Sequence, residues 1–264
     1  NMNKLGSFLG AGAIVGLILG FLQVALLIAA AACRAGAAAE AESQPQYDLS
    51  EALVHYARLD FPVAHRMLLP MAERGDAVAQ ETLGFMYLRG EGVAPDDAIA
   101  FRWFKLAALA GRPDAEFELG KMYRDGRGVS ADGNAALSWF RRAADHGMTE
   151  AFVAVAELYL GQNSGQSGIP PDPIAAAEWL LRAADLGSAD AMYLIGLRYA
   201  DGRNGPRDEI EALKWFDLAL SRAIGTLRED IARARMKVAE RLMPMQVQAA
   251  LTRSRDWRDT HPPR

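Results

Sequence analysis

The chain has 264 residues, with 33 acidic against 29 basic side chains, a formal net charge of −4 and a single cysteine, Cys33. A slightly acidic chain lacks the basic face that nucleic acid requires. One cysteine excludes an internal disulfide framework and a cysteine-built metal site.

The first feature in chain order is an apolar run from Phe8 to Ala32, broken by one polar side chain, Gln23. A helix of that length crosses an apolar bilayer core of about 30 Å at about 1.5 Å per residue. Lys4 precedes the run without any acid, which orients the start toward the cytoplasm and the rest outside it. Gly12, Gly16 and Gly20 recur every four residues and form a small-residue face on which membrane helices pack closely. Two other fates stay open. Ala35-Gly36-Ala37 and Ala37-Ala38-Ala39 are acceptable cleavage sites that would release the chain into the periplasm. Ala30-Ala31-Ala32-Cys33 offers Cys33 for lipid attachment. Residues 1–33 are therefore expected to be a transmembrane anchor or signal segment, and residues 34–47 a linker.

Repeats follow. Trp103, Trp139, Trp179 and Trp215 are separated by 36, 40 and 36 residues. Aligned on them are Ala79, Ala115, Ala151 and Ala191, then Tyr87, Tyr123, Tyr159 and Tyr199. Asp96, Asp132, Asp172 and Asp208 form a third column, and Ala100, Ala136, Ala176 and Ala212 a fourth. Periodicity of this kind marks a stacked-repeat protein. The four-residue surplus falls in the loop between Tyr159 and Asp172, where extra length is tolerated. Each unit reads as two helices, the first pair near 77–88 and 97–110. The alanine columns predict close helix crossings, and the tryptophans are expected to fill the space beside them.

The aspartate column falls where each second helix begins, which predicts N-caps rather than catalytic acids. Pro173 suits the first helical position, and Glu211 is placed to complete a capping box with Asp208. Gly90-Glu91-Gly92 and Gly126-Arg127-Gly128 predict helix–helix turns with positive φ, since no strand precedes them and no full phosphate motif follows.

The array has edges. Met67 and Gly75 lie 36 residues before Trp103 and Gly111, so residues 48–75 read as a degenerate first repeat, with Asp48 and Glu51 as its capping pair. The main repeats occupy 76–223, and 224–264 supplies polar capping helices and a tail. In the segment Arg228–Arg241 acids alternate with bases, which predicts a solvated face.

The chemistry-bearing residues are sparse. His55, His65, His146 and His261 offer no metal-binding pair, and no nucleophile motif or phosphate loop is present. No cofactor, metal or small-molecule substrate is expected.

The run Ala79, Leu83-Gly84, Tyr87, Gly90-x-Gly92-Val93, Asp96, Ala100, Trp103, Ala107-Ala108, Gly111 resembles the Sel-one-like repeat family, short-turn relatives of the tetratricopeptide repeat. The second unit matches as well, through Ala115, Leu119-Gly120, Tyr123, Gly126 and Gly128-Val129. The third departs at Val155-Ala156, and the fourth replaces the closing glycine with Ala223. The resemblance implies an all-α, right-handed α-solenoid of helix-turn-helix repeats, here preceded by the N-terminal hydrophobic helix. It also implies binding of protein partners rather than catalysis. Some cysteine-rich relatives are linked to hydrolysis of cell-wall-active compounds, but they depend on a disulfide in each repeat.

The expected function is a non-enzymatic scaffold or adaptor on the periplasmic side of the cytoplasmic membrane, an accessory subunit of a membrane complex. The alternative is a soluble periplasmic regulator of a sensor ectodomain. First-helix positions Phe85, Met86, Lys121, Met122, Glu157, Tyr193 and Arg198 are the expected partner-binding residues.

Overall fold

The computed structural model describes residues 47–161, 168–202 and 205–261. The apolar run, its three glycines and Cys33 lie outside the described residues. Among the described residues no helix is long and apolar enough to cross a membrane.

From Asp48 onward the described structure is helical, with no strand among the described residues. The helices are α1 Leu49–Ala57, α2 Phe61–Glu73, α3 Ala77–Arg89, α4 Asp97–Leu109, α5 Pro113–Asp125 and α6 Gly133–Asp145. They continue as α7 Thr149–Tyr159, α8 Pro173–Asp185, α9 Ala189–Asp201, α10 Glu209–Leu220, α11 Gly225–Ala239 and α12 Pro244–Thr260. Consecutive helices through α10 pack in pairs, and each pair packs on the next. This is the stacked arrangement that the repeat period requires.

The turn chemistry explains the helix boundaries. Asp96, Asp132, Asp172 and Asp208 each accept two backbone N–H bonds from the first turn of the second helix. The N–H of each aspartate in turn donates to the carbonyl of the column tyrosine, at 2.9, 2.9, 2.8 and 3.0 Å. The longer third loop leaves that closure intact. Glu211 does not complete a capping box: its carboxylate engages Lys214 at 3.1 Å and Arg253 at 2.7 Å. Gly128 shows why the turn glycines are needed. Its φ is +69°, and a Cβ there would meet the Asp97 carbonyl oxygen at 2.2 Å, so the turn abuts the preceding unit's second helix.

Both alanine columns are fully buried, as their small size predicts. The tryptophans do not behave as expected. Trp103, Trp139 and Trp179 are only half-buried; Trp215 is buried at 4% exposure, against Trp257 of α12. The void is filled by the next residue in sequence. Phe104, Phe140 and Phe216 are completely buried. Each ring sits on a glycine of the first helix: a Cβ at Gly84, Gly120 or Gly196 would come within 2.5–2.7 Å of it. In the third unit the same two positions hold Ala156 and Leu180, one methyl more on one side and a smaller side chain on the other. Conserving summed volume keeps the density of the core.

The C-terminal end is built differently. Helices α11 and α12 pack chiefly on α10 rather than on each other. Asp217 of α10 accepts a 2.7 Å bond from the buried Ser254 hydroxyl and faces Arg235 at 3.4 Å and Arg258 at 3.8 Å. Glu209 meets Arg241 at 3.0 Å. The expected solvated face holds at Arg228, Glu229, Arg233, Lys237 and Glu240, which are exposed, whereas Arg235 and Arg241 reach back to acids of α10.

Candidate functional site

The first helices of the units lie side by side, and residues spaced three or four apart on each share one face. On α5 that face carries Phe117, Lys121 and Arg124; on α7, Val153, Ala154 and Glu157; on α9, Asp190, Tyr193 and Leu194. Together, with Leu227 at one end, they line a groove of about 710 Å³. The floor is one repeat column: Phe117, Val153 and Tyr193 are equivalent positions in successive units. Lys121 and Glu157 belong to a second column, four residues further along each helix.

Three of the residues expected from sequence, Lys121, Glu157 and Tyr193, come together here. Phe85 occupies the Lys121 column in the first unit, where it packs edge-on against Phe104 with centroids 5.0 Å apart and lies under Arg89. Met86 and Met122 are corrected: they are 0% and 2% exposed and belong to the core. Their column, completed by Leu158 and Arg198, points toward the second helix, and only half-buried Arg198 in the last unit carries a charge there. The sequence reading missed Phe117, Val153 and Arg124. The signal for the first two was present, since both share a column with Tyr193.

The groove's charges are unevenly satisfied. Lys121 donates to Glu118 at 2.8 Å. Arg124 donates twice to Asp125, at 2.7 and 3.0 Å, and stands 4.0 Å from Glu157. Burial raises the Glu157 carboxyl above its ordinary range; Arg124 opposes this, and repulsion from Asp190 adds to it. Burial likewise raises the Tyr193 phenol, with Asp230 adding and Arg233 opposing. Tyr193 packs on Phe216 with centroids 5.8 Å apart.

The residues lining the groove include no histidine and no cysteine. Among the described residues no group of three histidines, cysteines or acids could hold a metal ion. His146 faces Glu116 at 3.6 Å, and His65 meets the Tyr87 hydroxyl at 3.1 Å. Each is paired within the helical stack rather than aimed into the groove.

Comparison with known proteins agrees with the repeat geometry. The Sel1 repeat family model matches residues 77–111, 113–148, 154–188 and 189–223. The crystal structure of a Sel1 repeat protein from Oxalobacter formigenes is 26% identical with a TM-score of 0.61, covering 74% of this chain and 79% of that one. A protective antigen of uropathogenic Escherichia coli with an SLR fold, c5321, is 20% identical, covers 76% of this chain and 64% of its own, and has a TM-score of 0.33. A Sel1 repeat protein from Klebsiella pneumoniae subsp. pneumoniae is 18% identical over 71% of this chain and 89% of that one, with a TM-score of 0.45. No curated protein matches the chain.

Proposed function

Because the chain belongs to the Sel1 repeat family, whose repeats generally mediate binding of protein partners, we propose that it is a non-enzymatic scaffold that holds a partner segment in the α5–α7–α9 groove. The observation that carries this reading is the groove itself. Four apolar or aromatic side chains, Phe117, Val153, Tyr193 and Leu194, half-buried on the core beneath them, line one continuous groove across three units. Grooves of this type accept a peptide by apolar anchors, with polar groups setting register.

The finer reading places the scaffold on the periplasmic side of the cytoplasmic membrane as an accessory subunit. The apolar run 8–32 and the Gly12, Gly16 and Gly20 face support it. Two sets of variants separate the layers of this reading. Val153→Arg, which fills the groove with a charge, should remove the companion protein from a mild-detergent purification. Leucine at Gly12, Gly16 and Gly20 should detach the protein from a membrane complex and leave groove binding intact. Unchanged companions in the Val153→Arg preparation would overturn the groove as the binding site.

A further inference from the structure

Building on the groove reading above, we propose that the groove selects a partner segment that places a basic side chain beside Glu157, with apolar neighbours seated on Phe117, Val153 and Tyr193.

Three acids line the groove, Glu150, Glu157 and Asp190, against two bases, Lys121 and Arg124. Both bases are already engaged by acids of their own helix. The groove therefore presents uncompensated negative charge to an incoming segment. Two of the acids have a structural reason to be there. Glu150 and Asp190 sit in the first turns of α7 and α9, where negative charge favours the helix dipole. Glu157 has none. It stands in the last turn of α7, where the dipole disfavours an acid, and its side chain is only 32% exposed. Among the described residues its ion pair is the 4.0 Å approach of Arg124 Nη1, beyond hydrogen-bond distance, while Nε and Nη2 of the same guanidinium donate to Asp125. An acid that stands where it weakens its own helix, beside a half-buried apolar floor, matches a group held for a ligand. The ligand chemistry that relieves both burdens is an ammonium or guanidinium group carried on an apolar segment.

The test uses the full chain in mild detergent and three capped, fluorescein-labelled nonapeptides of leucine, alanine and serine. They differ only in the central residue: lysine, glutamine or glutamate. Fluorescence anisotropy should show the lysine peptide binding about tenfold or more tighter than the other two, as expected for a charge-assisted contact in a partly buried site. Glu157→Gln should erase that preference and yet melt at or above the wild-type temperature. A contact that merely supported the fold would lower the melting temperature instead. Equal binding of all three peptides, a preference for glutamate, or a lysine preference surviving in Glu157→Gln would overturn the charge selection. If Val153→Arg still abolishes binding in those cases, the groove stands without it. Binding of no peptide, or binding untouched by Val153→Arg, would overturn the groove reading together with this one. Concentration-dependent dimerisation lost in Val153→Arg would assign the groove to a second copy of the chain and overturn both partner claims.

Discussion

The middle of the array and its C-terminal end solve the same problem with different forces. Between the helices of a repeat, a phenylalanine ring rests directly on a glycine, and the ion pairs beside it end on buried carboxylates: Arg142 meets Glu116 at 3.0 Å within the second unit, and Arg112 meets Glu81 at 2.6 Å between units. At the end, α11 and α12 are held to α10 by Asp217, Glu209 and Glu211 with arginines reaching from both sides. An interior unit has neighbours above and below, so apolar surface is buried on both sides. A terminal unit must expose one face to water, so there half-exposed ion pairs are added to the apolar packing of Ile231, Val238, Ala250 and Trp257 on α10. The interior should therefore be intolerant of shape change, and the end should respond to salt.

The sharpest way to break the interior is Phe140→Ala. It empties a fully buried site and should destabilise by about 3–5 kcal/mol, read from the denaturation midpoint. The comparison is refined by borrowing from the third unit. Gly120→Ala alone drives a methyl to 2.5 Å from the Phe140 ring and should cost about 1–3 kcal/mol. Adding Phe140→Leu recreates the Ala156 and Leu180 pairing, and the double variant should be more stable than the sum of the two single ones. Simple additivity would show that the third unit is not a volume-conserving swap.

At the other end, Asp217→Asn should destabilise by about 1–3 kcal/mol, because two guanidinium groups lose the negative charge they face and one of the two acceptor oxygens becomes an NH2 donor. Hydrogen exchange should localise the loss to α11 and α12. Rising salt should loosen those helices in the wild type more than α5 and α6, whose Arg142–Glu116 pair ends on a fully buried carboxylate that salt screens less.

How legible this was in the sequence differs by residue. The aspartate caps and turn glycines were readable because local chemistry alone dictates them: an acid must precede the free amides, and a left-handed turn must be glycine. The Trp–Phe exchange was not. Adjacent aromatics on a helix are 100° apart, and which one faces the partner depends on the crossing of two helices, which no single-helix pattern encodes. The same blindness placed Met86 and Met122 on the surface. The groove was half readable: Lys121, Glu157 and Tyr193 were named, whereas Phe117 and Val153 required tracing the Tyr193 column back through the repeats. The Asp217 cluster joins residues of α10, α11 and α12 that are up to 41 positions apart, from Asp217 to Arg258, and no repeat period relates them.

The smallest expected effect concerns acid. Burial lowers the His65 pKa below its ordinary 6.5, so folding disfavours the charged imidazole. Below 6.5 the unfolded chain takes up the proton more readily than the folded one, and stability falls as pH falls through that range. His65→Gln should flatten that part of the melting-temperature profile and leave the alkaline side unchanged.

The central claim is that a partner lies along the first-helix face. A photo-reactive benzoyl-phenylalanine placed at position 153, in the groove, and separately at the exposed Arg102 of the second-helix face tests it most directly. The account predicts that irradiation of cells yields a covalent adduct with another polypeptide from position 153 and none from position 102. An adduct from position 102 alone, or from neither position while the companion still co-purifies, would contradict it.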